Sequence, residues 1–397
     1  MAIHKRKKVV LQPWEHHIDP NPFPSISALE ETTSNEELDA VLDQITGKEG
    51  GIIIQQYKPH ASWLWSQFYG TVIYSSWAKA LQHMAIASLF CVWVRYQTHG
   101  DFHVLTLEGM GDHWLANAFT IVEKMWAVLM GLTTFLLTFF VGQAWTFWKS
   151  FIDVSRNIQG RFNSIQMLLA SHAARDENGN YTPEAEEFLR DMGKRLKLFH
   201  TLHWASQALR FRPLLTDQGW DHMVARGLLT EKERQRLHKL RLSSTQKHVG
   251  VFQSMMVLAL KGMKDKKIIG IQTSFLEKKI TEEFCTLRGT SATISGLVAG
   301  RMPLAYVHFV QILVDTFVML TPIAKYKDLG IFSVLMIGIL TFFYHGLLVL
   351  AKVFMDPLDN EHYKKGCVYL DLAVLLRESN GGIDNWIAGG ETINGYE

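Results

Sequence analysis

The chain has 397 residues, with 40 Lys and Arg against 38 Asp and Glu and a formal net charge of +2. That balance argues against nucleic-acid binding, because no excess of cations is available to neutralise phosphates. Hydrophobic residues at 48% and charged residues at 20% exclude a disordered chain, and a mean hydropathy of +0.03 fits long apolar runs alternating with long polar ones.

At the N-terminus, His4-Lys5-Arg6-Lys7-Lys8 is basic, but no apolar core follows it, so it does not read as a secretory signal. The acidic stretch from Glu30 to Asp43 argues against an organelle transit peptide. Residues 1–62 are expected to form an N-terminal cytosolic arm. Cys91, Cys285 and Cys367 are too few and too scattered for a disulfide framework or a zinc knuckle. Cys91 lies inside an apolar run and reads as a small buried thiol.

Four runs are long enough to cross about 30 Å of hydrocarbon as helices of roughly 20 residues. They are Val72 to Val94, Trp114 to Trp148, Pro303 to Ile323, and Ile331 to Met355. The second has 35 residues, which is about 52 Å of helix at about 1.5 Å per residue. A helix continuing into a water-exposed domain explains that excess. The connection from Tyr96 to His113 holds Asp101, Glu108 and Asp112 but no Lys or Arg, whereas Lys149, Arg156 and Arg161 follow the second run and Lys364 and Lys365 follow the fourth. Basic residues favour the cytosolic side. Both termini and the long middle segment are therefore expected on the cytosolic (or stromal or matrix) side. Lys325 and Lys327, read as a turn between the third and fourth runs, oppose that rule.

The expected organisation is two spans over 63–148 (with a long helix over 113–148), a helical domain over 149–302, two more spans over 303–355, and a C-terminal segment over 356–397. In the middle domain, Thr182 before Pro183 reads as a helix start with a threonine cap. Thr230 followed by Glu233 has capping-box spacing. The glycine pairs Gly381-Gly382 and Gly389-Gly390 mark the last twenty residues as a flexible tail.

Two groups of residues carry chemistry. Gly131, Phe135 and Phe139 recur every four residues along one face of the second run, with Thr134 and Thr138 on the neighbouring face. In a single copy the phenylalanines are ordinary core or lipid-facing residues. In a ring of identical helices they become two hoops of rings whose positive edges favour an anion over a cation. His308, Gln311 and Asp315 share one face of the third run, either bonding helices together or lining a polar wall beside a conduction path. Enzyme signatures are absent: His200 and His203 alone have a helical ligand spacing, His16-His17 lies in the arm, and no phosphate loop, nucleophile elbow or zinc motif occurs.

The stretch from Met302 to Gln311 (MPLAYVHFVQ), followed by the fourth run and Met355 to Asp359 (MDPLD), resembles the closing half of a bestrophin anion channel. Trp63 to Tyr74 is similar to that family's Trp-rich entry to the first span, and Met223 to Glu233 to a cytosolic hairpin motif. The resemblance covers roughly Trp63 to Leu376. It implies an all-α membrane protein with four transmembrane helices and a large helical cytosolic domain per subunit. It also implies a homopentamer in the lipid bilayer, with the second span lining one axial pore.

The family's three-residue neck falls on Gly131, Phe135 and Phe139. Gly131 departs from the usual bulky aliphatic residue, leaving Leu132 to turn toward the axis. A second aperture falls near Met255 to Leu258. The implied function is passive conduction of small monovalent anions, chloride or alternatively bicarbonate, with no enzyme activity. The animal members' calcium clasp falls on Asp356, Asp359, Asn360 and Glu361. Lys364 and Lys365 stand where carboxylates belong, so calcium gating is expected to be weak or absent, as in plant, algal or bacterial members. The rival readings are a non-conducting structural subunit of a larger membrane complex, and a membrane-bound histidine metalloenzyme. Plasma membrane and thylakoid or another organelle remain equal readings.

Overall fold

The computed structural model describes residues 24–47, 51–54, 60–66, 71–97, 114–361 and 368–391. The acidic connection with Asp101, Glu108 and Asp112, residues 67–70 of the Trp-rich entry, the basic N-terminal run, His16-His17, Lys364, Lys365 and Cys367 lie outside them.

Among the described residues the fold is helical. The helices are α1 (Ile26–Thr32), α2 (Asn35–Thr46), α3 (Ala61–Ser66), α4 (Val72–Gln97), α5 (Trp114–His172), α6 (Pro183–Gln207), α7 (Asp217–Ala225), α8 (Glu231–Lys239), α9 (Lys247–Gly262), α10 (Ser274–Ala299), α11 (Leu304–Leu329), α12 (Ser333–Leu340), α13 (Gly346–Phe354) and α14 (Leu372–Glu391). A 3₁₀ turn (Leu209–Leu215) follows α6, and a π-helical turn (Thr341–His345) joins α12 to α13.

Caps read from the sequence are present. Thr182 caps α6 with Pro183 in its first turn, and Thr230 and Glu233 form the reciprocal capping box of α8. Helices long and apolar enough to span a bilayer cover Ser76–Gln97, Asn117–His172 and Leu304–Phe354. The last is a hairpin: the chain turns at Gly330, whose φ of 53° suits a residue without a Cβ, and α12 packs back on α11.

The 59-residue α5 unites the molecule. At about 1.5 Å per residue it is close to 90 Å long, and it contributes to two separate cores. Its first half places Trp126, Leu137, Phe140 and Ala144 against Val310, Val314 and Phe317 of α11. Its second half places Phe151, Ile158, Phe162, Ile165 and Leu169 among residues of α6, α9, α10 and α14. The second core is held by removal of apolar area from water, at roughly 1.5–3 kcal/mol per large side chain. The first lies among apolar spans, where lipid is as apolar as the side chains, so packing and hydrogen bonds such as Trp126 Nε1 to Thr321 Oγ1 at 3.1 Å do that task.

Two expectations are corrected, and the N-terminal stretch gains a packed helix. Residues 378–391 of the supposed flexible tail belong to α14, while 392–397 lie outside the described residues: Leu375, Ser379, Ile383 and Ile387 recur every four residues and are buried against α5 and α6. Two of the glycines permit close contact: a Cβ on Gly382 would lie 2.5 Å from Asn163 Oδ1, and one on Gly390 would collide with the Tyr181 hydroxyl. Within the stretch read as the N-terminal arm, Leu38, Val41, Leu42 and Ile45 of α2 are buried in the extramembrane core. Lys325 and Lys327 lie in the last turns of α11 rather than in a turn. Lys325 is paired with Glu123 at 2.6 Å and Asp328 at 3.7 Å, so it brings little uncompensated charge to that end.

Candidate functional site

The membrane part of α5 has two unlike faces. Trp126, Thr133, Leu137, Phe140 and Ala144 are buried against the subunit's own helices. The opposite face is open among the described residues, apart from one contact at its flank. Val128 is 74% exposed, Phe135 68% and Phe139 50%. Leu132 is also exposed, and a Cβ built on Gly131 or Gly142 would meet no atom within 4 Å. Gly131, Leu132, Phe135 and Phe139 therefore all lie on the open side. Phe135 is near its centre. Phe139 is rotated to its flank, where its ring meets Tyr306 edge-on at 6.4 Å. Thr134 shares a 2.7 Å hydrogen bond with the Tyr344 hydroxyl, and both Thr134 and Thr138 are exposed.

The polar face of the third span separates into two parts. Gln311 Nε2 donates to Asp315 Oδ2 at 2.6 Å, and Lys352 Nζ of α13 donates to Gln311 Oε1 at 2.6 Å. This chain joins α11 to α13 inside the subunit. His308 is exposed and is not part of it.

The sequence reading passed over the groups that complete this polar layer. His83 of α4 is buried and shares a 3.0 Å hydrogen bond with Thr341 at the start of the π turn. His345, at its end, has a buried Nδ1 without a partner among the described residues. The i, i+4 spacing of Lys79 and His83 and the seven-residue spacing of His345 and Lys352 were legible as helix faces. Which helices they met was not.

The four residues at which the resemblance put a calcium clasp lie in a turn after α13. Asp356 is buried and accepts the backbone N–H groups of Asn360 at 3.0 Å and Glu361 at 2.8 Å. Arg301, between α10 and α11, reaches Asp356 at 3.7 Å and Glu361 at 3.2 Å. Burial pushes the Asp356 carboxyl above its ordinary range, opposed by those two N–H groups and by Arg301. Asn360 accepts from the Leu209 N–H at 2.8 Å and donates to the Gln207 carbonyl at 3.0 Å. Asp359 takes a φ of 54°. The Asp356 and Glu361 carboxylates and the Asn360 amide oxygen are engaged by protein N–H groups and a guanidinium, which disfavours a calcium ion needing six to eight oxygens. Among the described residues no group of three or more His, Cys, Asp or Glu is placed to hold a metal.

His200 and His203 are fully buried in the extramembrane core. His200 Nε2 accepts from the Trp204 indole N–H at 2.8 Å, and His203 stacks on Phe199. At the suggested second aperture, Met255 faces the core and Val257 is the exposed residue.

The sequence profile of the family described as "Bestrophin, RFP-TM, chloride channel" matches residues 73–364. The chain belongs to the bestrophin family. As a bestrophin it is an integral membrane protein of a family of chloride channels. Among solved structures, a Klebsiella pneumoniae bestrophin homologue superposes with a TM-score of 0.57 at 14% identity, covering 78% of this chain and 98% of that one. Two point variants of that homologue give TM-scores of 0.59 and 0.58 at 13% and 14% identity, each covering 79% of this chain. At such identities the likeness concerns the fold. No curated protein matches the chain in a sequence search.

Proposed function

We propose that this bestrophin assembles as a homopentamer in which five copies of α5 enclose an axial pathway for small monovalent anions, chloride or alternatively bicarbonate. The observation that carries the reading is the unpacked face of α5, which places Phe135 on the far side of the helix from its own subunit. A helix hydrophobic on both sides needs a second apolar partner or lipid. Five copies meeting through this face would surround a narrow hole with two hoops of phenylalanine. Ring edges carry partial positive charge, so such a constriction tolerates a dehydrated anion better than a cation, and its apolar walls exclude bulk water. Gly131 leaves the hole wider at that level, with Leu132 on the flank. His308 lies outside this pathway and bears on contacts between subunits or with lipid. Both termini and the extramembrane domain lie on the cytosol-like side.

The reading is tested with full-length protein reconstituted in planar bilayers, alongside a subunit count by imaging down the membrane normal. Chloride current through a fivefold assembly is expected, together with a several-fold rise in conductance or a loss of anion selectivity for the Phe135→Ala, Phe139→Ala double variant. A single copy per particle, or currents unchanged by that double variant, overturns it.

A further inference from the structure

We infer that Lys124 and Lys149 form cationic rings at the two mouths of the pathway, drawing anions toward the neck from either side; this rests on α5 being the axial helix.

Both residues fall on the open stripe of α5. Lys124, Gly131, Phe135, Gly142 and Lys149 follow one another at spacings of 7, 4, 7 and 7 residues, which keeps them on one line of a helix with about 3.6 residues per turn. That line is opposite Trp126, Thr133, Leu137, Phe140 and Ala144, the buried face. Both lysines are exposed, and neither makes a hydrogen bond or ion pair among the described residues.

Neighbouring cations behave differently. Lys325 is held by Glu123, Lys327 by Thr120, Arg156 by Glu378 and Arg161 by Glu283. Glu123, next to Lys124 in the chain, is turned away to Lys325, so the carboxylate best placed to neutralise Lys124 is occupied elsewhere.

From residue 125 to residue 148 the sequence holds no Asp, Glu, Lys, Arg or His. The two lysines are 25 positions apart, or about 37 Å along the helix, close to the thickness of a hydrocarbon layer plus its boundary. The charges therefore stand at the edges of an uncharged tube with the phenylalanine pair near its middle. Five like charges around a low-dielectric opening focus the field and raise the local concentration of counter-ions. The ring at Lys149 is partly offset by Asp153, exposed four residues further on. No carboxylate lies four residues from Lys124 along α5, and the ring there has the larger effect. Lysines facing lipid would instead extend to headgroups and leave the current unaltered.

The test uses the full chain in planar bilayers, with Lys124→Gln, Lys124→Arg, Lys149→Gln and, as an off-axis control, Lys278→Gln on the exposed surface of α10. At about 0.05 M chloride, Lys124→Gln is expected to lower anion conductance on the order of threefold and to introduce rectification, and at about 1 M the difference collapses because screening shortens to a few ångströms. Lys149→Gln has a smaller effect of the same kind. Lys124→Arg keeps the charge and the current, which separates electrostatics from folding. If Lys124→Gln conducts like the parent at low salt while the phenylalanine double variant still alters conductance, the rings are refuted and the pathway stands. If the parent carries no current, both ideas fall together.

Discussion

The Lys352 ammonium donates to the Gln311 side-chain oxygen at 2.6 Å, tying α13 to α11 among apolar spans. Gln311 passes the interaction on to Asp315, so the lysine and the carboxylate answer each other through an amide. Lys352→Met should lower the stability of the detergent-solubilised protein by about 1–2 kcal/mol, the scale of an inter-helix polar contact in a membrane. Adding Asp315→Asn should recover part of that loss, because the single variant leaves a carboxylate without its cation. Chemical denaturation in mixed micelles measures both. Strictly additive losses would mean that the residues act separately.

Gly131 presents open space where a side chain would stand. Gly131→Leu should leave the fold intact, with a gain of up to about 1 kcal/mol from helix propensity. On the axial reading it should cut chloride conductance several-fold by restoring a third constriction. Melting temperature and single-channel current, recorded on the same preparation, distinguish this from a residue that faces lipid, for which conductance would not change.

Burial holds His200 neutral down to a pKa of about 3, and His203 is lowered well below its ordinary value by burial and by the neighbouring His248 and His200. In the unfolded chain both groups protonate near pH 6.5. The folded state thus binds fewer protons below that value, and stability present above pH 6.5 is lost as pH falls toward 3. Each histidine contributes a slope of about 1.4 kcal/mol per pH unit in that window. Thermal melts between pH 7.5 and 5 should show a falling midpoint, with a shallower fall for His203→Leu. A midpoint independent of pH in the parent would contradict the burial of these rings.

Arg301 places its guanidinium beside the carboxylates of Asp356 and Glu361. Arg301→Gln should cost about 1–3 kcal/mol, since the buried Asp356 carboxylate loses its cationic neighbour. It should also create a response that the parent lacks, in which added calcium raises the melting temperature of the variant alone. Equal calcium shifts in parent and variant would show that the guanidinium does not stand in for a metal.

Much of the architecture was legible because local signals and the bilayer agree. Apolar length marked the spans, Thr182 with Pro183 and Thr230 with Glu233 marked helix starts, and the excess length of the second run pointed to a helix continuing beyond the bilayer, which ends at His172 in the fold. Those features depend on residues within one or two turns of each other. The open face of α5 was half legible: the spacing of Gly131, Phe135 and Phe139 put them on one side, but not on the side facing away from the subunit.

What the sequence by itself determined was therefore periodic: where helices run, how long they are, and which residues share a face. The fold alone decided which faces meet. It turned Gln311 and Asp315 toward Lys352, set His83 against Thr341, brought Arg301 to Asp356, and made a packed helix of a glycine-bearing segment through Leu375 and Ile383. The physical reason is that helix formation is governed by neighbours three and four residues away, whereas these contacts join residues tens to hundreds apart, whose meeting depends on how every intervening helix packs.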